Sequence, residues 1–152
     1  MYTKLYTERK GGADINMKGE LNRTVMIYVD SYDHQIPTGH FHIAATQEMQ
    51  SFQSLSQLLI KINDTLDQEN FPQAFTELRT FQNPLHQTNS IHDIATAQKG
   101  TAATFSVRIL FRQNASWQGI VTWLEGNQQE YFRSVLELIV LMDNALRYVC
   151  NP

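Results

Sequence analysis

The chain has 152 residues, of which 42% are hydrophobic and 18% charged, and its formal net charge is −3. That length suits one domain with a sizeable core, and the acidic balance excludes a global electrostatic pull towards nucleic acid or an anionic membrane. A single cysteine, Cys150, excludes a disulfide framework within the chain and suits a reducing cytoplasm.

Residues 1–22 are polar and include Gly11-Gly12, which predicts a mobile N-terminal arm ahead of one domain over 23–152. The opening MYTKLYTERKGG lacks the apolar run of a signal peptide, so the expected location is the cytoplasm. Arg23 to Tyr32 reads as a strand, with Val25, Ile27 and Val29 on one parity. Asp33 to Pro37 reads as a turn, and Gly39, Phe41 and Ile43 mark a returning strand. Ser54-Leu55-Ser56-Gln57 is a capping box. It opens a helix that carries Leu55, Leu58, Leu59, Ile62 and Leu66 on one face. Phe71-Pro72 stops that helix, because proline lacks the N–H that would continue it. Alternation over Phe75 to Phe81 predicts a further strand. Gln82 to Gly100 reads as a polar surface linker with one helical turn at Ile91 to Ala97.

The most structured stretch is the last third, Thr104 to Leu146. Phe105, Val107, Ile109 and Phe111 alternate with Ser106, Arg108, Leu110 and Arg112, the period of a half-buried strand. A second run holds Trp117, Gly119, Val121 and Trp123 on one parity, and Asn114-Ala115-Ser116 reads as the hairpin loop. With Gln113 set opposite Trp117, Phe111 faces Gly119, Ile109 faces Val121 and Val107 faces Trp123, which gathers the large apolar residues on one face. Glu125-Gly126-Asn127 is a turn and Gln128 to Tyr131 a short third strand. Ser134-Val135-Leu136-Glu137 is a second capping box. The helix that follows carries Val135, Leu136, Leu138, Ile139, Val140, Leu141, Met142, Ala145 and Leu146. Apolar residues most of the way round predict cover on more than one side. That describes a central core helix, or one that also meets a second copy of the chain.

A shift of 80 residues lays the first unit on the second without a gap. Thr24 meets Thr104, Gly39 meets Gly119, Phe52 meets Phe132, Ser54 meets Ser134, Leu58 meets Leu138 and Leu66 meets Leu146. The shared order of hairpin, capping box and helix predicts an internal duplication of units at about 24–66 and 104–146. The expected fold is α+β: a two-layer sandwich of one antiparallel sheet with two helices on one face.

Three constellations are candidates for function. Arg108 and Arg112, flanked by Gln113, Asn114, Trp117 and Gln118, are expected on one strand face, where arginines among amides can hold phosphates. Leu110 and Ile120 are expected as cross-strand neighbours on the otherwise polar face, a hint that a partner or second subunit covers it. His40 and His42 share a strand face, with Asp30 expected opposite His40. A His-x-His pair with a carboxylate is an alternative reading as a divalent-metal site. No nucleophile–base pattern, phosphate-binding glycine loop or H-E-x-x-H motif is present, so the chain reads as non-catalytic and without a cofactor.

The strings Ile27-Tyr28-Val29-Asp30, Asn70-Phe71-Pro72-Gln73 and above all Arg112 to Gly119 (RQNASWQG) with Phe132-Arg133-Ser134 (FRS) resemble a family of short bacterial proteins with no assigned activity. The resemblance covers most of the chain from about Thr24 onward. It implies a bacterial cytoplasmic origin and carries over no functional residue. The reading that follows is a small accessory protein that binds protein partners and self-associates. The alternative is a nucleic-acid-binding module using Arg108 and Arg112.

Overall fold

The computed structural model describes residues 19–46, 48–69, 72, 100–113 and 115–151. The first 18 residues of the expected arm, the strand at Phe75 to Phe81, the helical turn at Ile91 to Ala97 and the linker before Gly100 lie outside the described residues. The last residues of the arm, 19–22, form a helical turn.

Eight elements follow that turn: strands β1 (Thr24–Asp33), β2 (Ile36–Ile43) and β3 (Gln50–Phe52), helix α1 (Leu55–Gln68), strands β4 (Ala103–Gln113), β5 (Ser116–Trp123) and β6 (Gln128–Phe132), and helix α2 (Val135–Cys150). The six strands form one antiparallel sheet in the order β3-β2-β1-β4-β5-β6. Both helices pack on one face of it, which is the expected α+β two-layer sandwich. Side chains one strand step apart point to opposite faces. Val25, Ile27 and Val29 of β1 and Phe105, Val107 and Ile109 of β4 therefore meet Leu58, Ile62 and Leu66 of α1 and Leu138, Met142 and Leu146 of α2 in a single buried core. Full burial stabilises each large apolar side chain by about 1.5–3 kcal/mol, so this interlayer core outweighs any surface interaction in the molecule.

The helices begin where their capping boxes stand. Ser54 accepts from the Gln57 amide while the Gln57 side chain accepts from the Gln53 amide. Ser134 and Glu137 make the same reciprocal pair, with Arg133 giving the second amide. Each satisfies amides that the first helical turn leaves without an intrahelical partner.

The two units carry the same strand registers, each residue 80 further along. Val25 opposite Ile43 corresponds to Phe105 opposite Trp123, and Gly39 opposite Phe52 corresponds to Gly119 opposite Phe132. The central strands meet with Met26 directly opposite Ser106, its own counterpart. Each central strand also bulges at the same place, between Val29 and Ser31 in β1 and between Ile109 and Phe111 in β4.

The register of the second hairpin differs from the sequence expectation. Val107 faces Val121 and Ile109 faces Gly119, and past the bulge Phe111 faces Gln118 and Arg112 faces Trp117. Two features account for this. The hairpin loop is two residues long, as in the first unit, where His34 and Gln35 take positive φ; Ala115 does the same at φ 55. A two-residue turn of that hand matches the strand twist. The bulge then inserts Leu110 and reverses the inward–outward alternation beyond it.

Candidate functional site

The bulges decide where the expected site residues fall. Arg108 precedes the β4 bulge and stays on the sheet face away from the helices. Its guanidinium lies 3.1 Å from the Glu20 carboxylate of the helical turn. Arg112 follows the bulge and points into the helix layer, where its guanidinium donates to Asn63 Oδ1 at 2.8 Å and to the Asp67 carboxylate of α1. The expected arginine pair on one face is therefore not formed. The two cations lie on opposite faces, each against a carboxylate.

The expected Leu110–Ile120 pair is not formed either. Leu110 is the bulge residue, and Ile120 sits between Arg108 and Tyr131 in the strand register. Ile120 is 6% exposed, whereas Tyr131, directly opposite it in the register, is 69% exposed. Gln118 keeps to the same face and donates to the Gln113 carbonyl at 3.4 Å.

His40 and His42 do share that face, but Tyr28 and not Asp30 stands opposite His40. Asp30 is the β1 bulge residue, and the bulge brings its carboxylate to 3.0 Å from His40 Nδ1. Both imidazoles stack on the Tyr28 ring, with centroids 5.0 and 5.7 Å away. Burial, reinforced by the neighbouring His40, pushes the His42 pKa below its ordinary value and so favours the neutral ring. Burial also raises the pKa of Tyr28. The set is an aromatic stack. Among the described residues, no group of three His, Cys, Asp or Glu side chains is placed to hold a metal ion.

One arrangement was missed from the sequence. Beyond its bulge, β1 carries Tyr32 into the helix layer, where the hydroxyl donates to the Asp143 carboxylate of α2. Burial, then this bond to an anion, raises the Tyr32 pKa. Arg147 lies 2.7 Å from the same carboxylate. Tyr32, Asp143 and Arg147 are the 80-residue counterparts of Arg112, Asn63 and Asp67. Each central strand thus reaches across the middle of the molecule and binds the helix of the other unit. Tyr32 and Asp143 are 111 residues apart, beyond the reach of any local pattern.

The outward face of α2 is the other feature of note. Leu136 is 69% and Val140 49% exposed, one turn apart on the side away from the core. They are flanked by two ion pairs, Arg133–Glu137 at 3.2 Å across the start of the helix and Asp143–Arg147 at 2.7 Å within it. The Arg133 hydrogen bond holds the Glu137 carboxyl below its usual pKa. The matching positions on α1 are Ser56 and Ile60, so the apolar pair belongs to α2 alone. Among the described residues no helix is long and apolar enough to cross a membrane. No protein-family model, no curated protein and no solved structure matches the chain.

Proposed function

We propose that the protein is a non-catalytic interaction protein that self-associates through the outward face of α2. The carrying observation is the exposed Leu136–Val140 pair on a helix whose opposite side already fills the core. A surface helix needs only one apolar stripe, and a second stripe is stable when another surface covers it. The charges around the pair favour a second copy of the chain as that surface. Arg133 neutralises Glu137 and Arg147 neutralises Asp143 on the same chain, so two copies meet there without the repulsion that a net charge of −3 would otherwise bring. An apolar centre inside a polar, internally paired rim is the usual anatomy of an interface. The matching strand registers of the two units support the internal duplication read from the sequence. The nucleic-acid alternative draws less support, because Arg108 and Arg112 point to opposite faces, each against a carboxylate.

Light scattering tests the proposal. The expected mass is twice 17.5 kDa. The double variant Leu136→Asp with Val140→Asp is expected to keep its far-UV circular dichroism and to dissociate at least ~30-fold more readily, the effect of losing a central interface anchor. A single-chain mass for the unaltered protein at millimolar concentration would overturn the proposal, as would a double variant of undiminished mass.

A further inference from the structure

We infer that the second unit carries a binding cleft for a small planar organic cation, between the last turns of α2 and the β5–β6 edge of the sheet. The cleft has a volume of about 740 Å³, within the range of small-molecule sites. Its walls are Phe105, Val121, Trp123, Leu141, Ala145 and Tyr148. Its polar groups include Glu125, Glu130 and Asn144, and among the described residues no lysine, arginine or histidine lines it.

Comparison with the first unit explains why the cleft is open. The same backbone frame there is bridged by side chains. Lys61 of α1 donates to the Ser51 carbonyl at 2.7 Å, and Gln50 of β3 donates to the Thr65 hydroxyl at 3.3 Å. In the second unit the positions of Lys61, Thr65 and Gln50 hold Leu141, Ala145 and Glu130. Leucine and alanine supply neither a donor nor an acceptor, so the helix is not tied to the strand at these positions. Two aromatic rings stand nearby, where the first unit has Ile43 and Gln68. Trp123 and Tyr148 meet edge to face with centroids 6.0 Å apart. Gly126 makes the room, since a Cβ there would collide with the Trp123 ring, and the first unit has Thr46 at that position.

The chemistry of these walls selects the occupant. Aromatic faces attract cations by about 0.5–1 kcal/mol at exposed sites, more when water is excluded. Glu130 and Glu125 add negative charge at the rim. Glu125 already accepts from the Thr104 amide at 2.9 Å, which fixes its position. An anion would find no compensating charge among the described residues, and a neutral ring would gain only the apolar contact. The buried Trp123 indole N–H has no hydrogen-bond partner among the described residues, which makes it a sensitive reporter of any change in the cleft.

Three probes with one ring and different charges make the test: tryptamine, indole and indole-3-acetate, each titrated into the isotope-labelled full chain. The two indole N–H resonances, assigned with Trp123→Phe, give the readout. Tryptamine is expected to shift the Trp123 resonance saturably and to bind more tightly than indole, with indole-3-acetate weakest. Glu130→Gln is expected to weaken tryptamine about three-fold while leaving indole unchanged, the scale of a solvent-exposed ion pair. Tyr148→Ala is expected to weaken both tryptamine and indole. Equal affinity for all three probes would overturn the inference. So would a shift confined to Trp117, or tryptamine affinity unchanged in both variants. None of these readouts depends on the oligomeric state.

Discussion

The Arg112 side chain is 9% exposed, whereas its partner Asp67 is 56% exposed. That inequality predicts which half of the pair matters more. Arg112→Ala removes the enclosed cation and leaves a carboxylate that water can reach, so the expected loss is that of a charge-assisted hydrogen bond, about 1–3 kcal/mol. Asp67→Ala leaves an enclosed guanidinium that still donates to Asn63 Oδ1 but has lost its carboxylate. An uncompensated enclosed charge costs about 3 kcal/mol or more. Urea denaturation of the two variants should therefore find Asp67→Ala the more destabilised, although it alters the more exposed residue. The reverse order would mean that Arg112 contributes mainly by packing its apolar stem. Nothing in the sequence around Arg112 announces this role. Its parity along the strand assigns it to the side of Arg108, and only the extra residue at Leu110 sends it to the helices.

At the scale of the element, the paired bulges and the glycines facing them act together. Gly39 lies opposite Val29 and Gly119 opposite Ile109, each at the last regular pair before a bulge. A Cβ at either glycine would collide with a backbone carbonyl oxygen, of Tyr28 or of Arg108. Backbone cannot yield as a side-chain tip can, so Gly39→Ala and Gly119→Ala should each destabilise the fold by about 3 kcal/mol, the upper end for overpacking. Thermal or urea unfolding checks this, and the two losses should be alike because the two sites are alike. A loss below one kilocalorie at either position would show that the strand can slide there. The capping boxes, the hairpin–helix order and the interlayer core were all legible, because each rests on residues within a few positions of one another. The register of the second hairpin was not, on either side of the bulge. A hairpin with a two-residue loop and one with a three-residue loop fit Asn114-Ala115-Ser116 equally well, and strict alternation contains no sign of an inserted residue. The outcome moved four site residues: Arg112 to the other layer, Leu110 onto the bulge, Ile120 beside Arg108, and Asp30 out of the place opposite His40 yet still within bonding distance of it.

For the molecule as a whole, the crossed contacts bear on cooperativity. Tyr32 of the first unit binds α2, and Arg112 of the second binds α1, so neither unit completes its own helix layer. Loss of one unit strips the other of an enclosed polar contact as well as of the β1–β4 pairing. Unfolding should accordingly be a single transition, with tryptophan fluorescence and far-UV circular dichroism giving the same midpoint. Both tryptophans, Trp117 and Trp123, lie in the second unit. A first unit that melted separately would therefore appear in the circular dichroism and not in the fluorescence, and two midpoints would refute the interlocked description.

The position of β1 beside β4 also sets an order of events during synthesis. β1 leaves the ribosome well before β4, for one of its two neighbours is encoded some eighty residues later. Until β4 arrives, the edge that carries Val25, Ile27 and Val29 is an unpaired, apolar strand edge, the kind that recruits other chains. Pairings between residues so distant in sequence also form slowly, because the intervening loop must close first. The nascent protein must therefore wait, with an apolar strand edge uncovered, for the pairing that lies at the centre of the finished sheet.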